Sequence, residues 1–108
     1  MSAWWVLLAA GLLETVWALG LPYTEGFRRP GPTVVVLAAM TASVLLLANA
    51  VRTLPLGTAY AMWVGIGVLG AVAGGVLLFE ESLPPARVAF VALLVVALAG
   101  LKMTAPAA

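Results

Sequence analysis

Apolar residues run along this chain in four long stretches, broken by short polar connections rather than by an alternation of faces. An α-helix rises about 1.5 Å per residue and a bilayer's hydrocarbon core is about 30 Å thick, so roughly 20 apolar residues cross it. Stretches of that size cover residues 3–21, 33–51, 56–79 and 86–104. They predict an all-α membrane protein, a single four-helix transmembrane domain spanning residues 1–108. The helix breakers fall between the stretches: Pro22, Gly26, Pro30, Gly31 and Pro32, then Pro55, then Pro84 and Pro85. Glu25, Arg28, Arg29, Arg52, Glu80, Glu81 and Arg87 lie in or beside these connections, and Lys102 is close enough to a helix end to snorkel to the interface. Only Glu14 is left in the middle of a span.

Composition narrows the chemistry. The chain has 108 residues, 65% of them hydrophobic, with five basic and four acidic side chains, too few to coat a water-soluble globule. It has no cysteine and no histidine, so disulfides, thiolate chemistry and the usual transition-metal ligands are absent and no cofactor is expected. A net charge of +1 offers no basic patch for nucleic acid, and no phosphate-binding glycine motif occurs. An enzyme is not expected. The first apolar stretch lacks a basic start and is a full span, so it reads as a retained helix rather than a signal peptide.

A carboxylate near the centre of a bilayer costs roughly 2.5 to 3.5 kcal/mol on insertion scales. An ionisable group kept at that depth is a functional-site hypothesis by default, and proton or cation binding is the compensation that suits an acid. Lys102 is a poor internal partner. It lies about two residues from its helix end and Glu14 about eleven from its own on the same side, roughly 13 Å apart in depth. A cation and protons would then compete for one carboxylate, the minimal requirement of proton-coupled antiport.

Orientation follows the lysines and arginines of short loops. With alternating helices, the side bearing both termini carries Arg52 and Lys102, and the other carries Arg28, Arg29 and Arg87. So small a bias leaves topology weakly specified, and a chain that inserts both ways can form an antiparallel homodimer, supplying the inverted halves that transporters use for alternating access. The simpler alternative is one orientation fixed by other features.

Two faces point to a site. Trp17 follows Glu14 by three positions on the first helix, and Tyr60, Trp63 and Gly67 share a side of the third. Ser43 sits near mid-span on the second helix, at a depth from which it could reach the carboxylate. Indole and phenol faces attract cations, and a carboxylate can accept two parallel N–H bonds from a planar one. Trp4 and Trp5 fit the membrane interface better. On the third helix Gly67, Gly70 and Gly74 form a small-residue stripe that another backbone could approach, and Gly65 and Gly67 bracket a candidate conformational hinge.

The stretches L-L-E-T-V-W-A (12–18), E-G-F (25–27), L-P-L-G-T-A-Y-A-M-W-V-G-I-G (54–67), E-S (81–82) and G-L-K (100–102) resemble the small multidrug resistance family over essentially the whole chain. Among its branches the chain is similar to the guanidinium exporters (the Gdx type). Trp17 and Lys102 carry that distinction, since the quaternary-ammonium branch typically has a small residue at the first position and no lysine at the second. The resemblance implies an antiparallel homodimer in the bacterial plasma membrane whose two copies of Glu14 bind substrate or protons. Trp17, Ser43, Tyr60 and Trp63 would line the site, and the fourth helix would pack at the dimer interface. It implies export of guanidinium in exchange for protons, with substituted guanidines or small quaternary ammonium ions as further substrates. The alternative within the family is a proton-coupled multidrug exporter of quaternary ammonium or other lipophilic cations. Pro22 departs from the lysine usual at the end of the first helix, which shrinks the topological bias further. Outside the family, the alternative is a non-transporting membrane subunit in which Glu14 pairs with another protein's basic residue.

Overall fold

The computed structural model describes residues 2–105. It contains α1 (Ala3–Gly20), a 3-10 turn (Leu21–Thr24), α2 (Pro30–Ala50), α3 (Leu56–Phe79) and α4 (Pro85–Thr104). All four α-helices are long and apolar enough to cross a membrane. The protein is a multi-pass, all-helical membrane protein.

Three helix starts are set by residues that leave no amide donor wasted. Ser2 caps α1, its Oγ accepting from the Trp4 amide at 3.3 Å. α2 begins at Pro30 and α4 at Pro85, where a proline lacks only an N–H that would be unpaired in the first turn anyway. This is why α2 starts three residues before the expected Thr33: Pro30 and Pro32 open the helix instead of preceding it.

The reversal between α1 and α2 is built on Thr24, which is buried. Its Oγ1 donates to the Leu21 carbonyl (2.7 Å) and accepts from the Phe27 amide (3.2 Å). Its carbonyl takes the amides of Arg28 and Arg29 at 2.9 and 3.1 Å. The intervening Glu25, Gly26 and Phe27 all adopt left-handed backbone, with φ of 49°, 71° and 67°. Glycine takes that conformation without a steric penalty, whereas Glu25 and Phe27 are held in it by the Thr24 bonds.

α1 is the central helix. It runs antiparallel to α2 and parallel to α3, and the glycine stripe of α3 receives its side chains in register. Glu14 lies at Gly67, Thr15 at Gly70 and Leu19 at Gly74, while Ile66 of α3 packs back onto Gly11. The small residues therefore admit a neighbour within the same chain. A compact apolar cluster of Val6, Leu7, Ala50, Leu54 and Ala59 closes the end near the α2–α3 connection. α4 packs along α3, with Leu98 seated against Gly65, and meets α1 through Lys102 over the Trp4 ring. Large apolar side chains such as Leu77, Phe90, Leu45 and Val34 point outward, a surface made for lipid or for another chain.

Candidate functional site

Glu14 is 9% exposed, on the face of α1 turned to α3. The place it occupies exists because residue 67 is glycine: a Cβ there would collide with the carboxylate itself. A side chain that must be accommodated at mid-membrane is thus given a notch in the neighbouring backbone. None of the side-chain hydrogen bonds among the described residues ends on the Glu14 carboxylate.

One turn toward the N-terminus, Ser43 reaches across from α2. It is fully buried, and its Oγ donates to the Ala10 carbonyl at 2.6 Å while accepting from the Trp63 Nε1–H at 2.9 Å. A hydroxyl has one proton and two lone pairs, so its proton is committed to Ala10 and one lone pair remains. Ser43 therefore ties three helices together at a single atom: α1 through Ala10, α3 through Trp63 and α2 through itself. Tyr60 stacks obliquely on Trp63, with ring centroids 5.6 Å apart and planes 57° apart, and is half exposed. On the other side of Glu14, the Trp17 Nε1–H is buried without a partner.

Ser43, Trp63 and Tyr60 thus form one connected line of polar and aromatic groups, and Glu14 sits a helical turn from it along both α1 and α3. Trp17 borders Glu14 on α1 without a bond to the others. α3 is unbroken through Gly65 and Gly67. Gly65 is occupied by Leu98 and Gly67 by Glu14, so both glycines are also close-packing positions. Sequence reasoning missed two features, the Ala10 carbonyl as the anchor of Ser43 and the pairing of Glu14 with Gly67. A backbone carbonyl leaves no mark in the sequence. The spacing of Tyr60, Trp63 and Gly67 put them on one side of α3, but did not say which side chain would fill the glycine gap.

The arrangement suits a cation held by an acid beside indole and phenol faces, in a site with no metal-ligating cluster among the described residues. The family model of the Small Multidrug Resistance protein matches residues 2–94. The chain belongs to the small multidrug resistance family. It is 53% identical over 102 residues to a guanidinium exporter of Citrobacter freundii, covering 94% of this chain and 97% of that protein. A guanidinium exporter of Salmonella typhimurium is 52% identical over 103 residues, covering 95% and 98%, and one of Escherichia coli K12 is 51% identical over 102, covering 94% and 97%. The chain is a multi-pass protein of the bacterial plasma membrane, as a small multidrug resistance protein with four spanning helices and such relatives must be.

Proposed function

We propose that this small multidrug resistance protein exports guanidinium in exchange for protons, working as an antiparallel homodimer. The observation that carries the reading is Glu14: a buried acid in the notch of Gly67, with the Ser43–Trp63–Tyr60 line beside it. The near full-length similarity to guanidinium exporters names the cation. Guanidinium is planar and presents paired N–H donors, so one carboxylate can take two parallel hydrogen bonds from it, a charge-assisted geometry that a quaternary ammonium ion cannot offer. The faces of Trp17, Trp63 and Tyr60 would add cation–π attraction, about 2 kcal/mol where water is excluded.

Each role follows from that chemistry. Glu14 releases protons to accept substrate and takes them back to release it, and its two copies in a dimer titrate as one coupled pair. Ser43 holds the indole of Trp63 at a fixed angle and keeps a lone pair for a substrate N–H. The glycines at 65 and 67 let α3 change shape as the site alternates between the two sides. A second copy is favoured by the shape of one chain: its shortest dimension is 18 Å, about two helix layers, and α4 is scarcely buried.

The reading is tested in proteoliposomes by imposing a guanidinium gradient and following internal pH. Guanidinium-driven proton movement is expected, with a weaker response to tetramethylammonium. No flux from well-folded protein would overturn the reading, and a stronger response to tetramethylammonium would move the chain to the quaternary-ammonium exporters.

A further inference from the structure

Lys102 is not explained by the cation site. Its Nζ lies over the ring of Trp4, 4.9 Å from the centroid, at the N-terminal end of α1. Beneath it is a wedge-shaped cavity of about 380 Å³, lined by Ser2, Trp4, Trp5, Leu7, Leu8, Met62, Ile66 and Lys102. α1 and α3 supply most of its lining, and α4 contributes Lys102 at one edge. The volume falls within the range of sites that hold small ligands, roughly 300 to 1,000 Å³.

The lining divides sharply. Leu7, Leu8, Met62 and Ile66 make the deep part apolar, and Trp4 and Trp5 stand at helix starts, where indoles mark the headgroup level. The polar groups are confined to the mouth. Lys102 brings three ammonium donors and has no carboxylate partner among the described residues. The Ser2 hydroxyl accepts from the Trp4 amide and still has its own proton to donate. A basic pocket between transmembrane helices, apolar below and cationic at the membrane surface, has the complementarity of a lipid with a negatively charged head.

We propose that the wedge between α1 and α4 is a binding site for an anionic phospholipid, its phosphate against Lys102 and Ser2 and an acyl chain over Leu8, Met62 and Ile66. The lipid fills the space beside the Lys102–Trp4 contact, so it fastens α4 to α1 as well as to α3. The ring of Trp4 holds the lysine over the mouth, where it meets the phosphate without reaching into the hydrocarbon.

The test uses the purified full chain in a neutral detergent. Its thermal unfolding is followed while phosphatidylglycerol or phosphatidylcholine with identical acyl chains is added, with inorganic phosphate as a third arm. One lysine near an anionic surface contributes about a five-fold preference. Half-maximal stabilisation is therefore expected at about five-fold less phosphatidylglycerol than phosphatidylcholine. That preference should vanish in Lys102→Gln, persist in Lys102→Arg, and persist in Arg52→Gln, which removes a positive charge on the same side. Lys102→Met, which keeps the apolar stem, replaces the glutamine variant if that one does not fold. Equal responses to the two lipids in the wild type would overturn the proposal. So would a preference retained without Lys102, one lost equally with Arg52, or full stabilisation by inorganic phosphate.

Discussion

At the scale of the residue, the site is a matter of room and of proton count. At Gly67 the missing methyl group lets the Glu14 carboxylate lie against α3. Gly67→Ala must displace the acid or push α1 and α3 apart, and overpacking of this kind typically costs 1–3 kcal/mol. The expected outcome is a protein that still inserts and keeps its helical circular dichroism, but loses guanidinium flux at least ten-fold. Flux at the wild-type level would show that the carboxylate does not work from this notch. Ser43 was legible in the sequence as a hydroxyl near mid-span, but its actual partners were not. One is a backbone carbonyl and the other an indole N–H, and which of several acceptors a buried hydroxyl chooses depends on the crossing of three helices.

At the scale of the element, the four spans were legible because bilayer thickness imposes a length and apolar runs reveal it. Their ends were less so. α2 starts at Pro30, ahead of the apolar run that begins at Thr33, because Pro30 and Pro32 stand in the first turn, where proline is welcome. The E-G-F stretch could be seen as a signature but not explained until the backbone showed three successive left-handed residues hung on Thr24. Thr24→Val keeps the shape of the side chain, removes the bond to Leu21 and leaves the Phe27 amide without its acceptor. A loss of about 1 kcal/mol is expected, since the Phe27 amide is only partly buried. It should appear as a lower thermal midpoint in detergent and as faster proteolysis between residues 24 and 29. An unchanged midpoint would mean that the reversal is held by the flanking helices alone.

At the scale of the whole molecule, one chain is a thin slab with a glutamate on its central helix and a fourth helix scarcely covered. The glycine stripe illustrates what sequence could not decide: its spacing announced a close approach, and the approaching helix proved to be α1 of the same chain rather than a partner. The contact between two chains leaves no such trace, so the antiparallel pairing rests on the weak charge bias and on the exposed faces of the slab. It predicts that both orientations coexist in one membrane. The chain contains no cysteine, so a single cysteine introduced at Glu80 in the α3–α4 connection reports orientation without background. About half of the molecules should react with a membrane-impermeant maleimide from each side of the membrane. Labelling from one side only would rule out the antiparallel dimer.

Whether one carboxylate serves proton and substrate in turn can be measured without any transport. Guanidinium is added to purified protein in weakly buffered detergent solution while released protons are counted alongside heat. Wild type should bind guanidinium with release of protons, more weakly as pH falls, and Glu14→Gln should show neither binding nor release. Guanidinium binding that persists in Glu14→Gln, or that releases no protons from the wild type at any pH, would contradict the account.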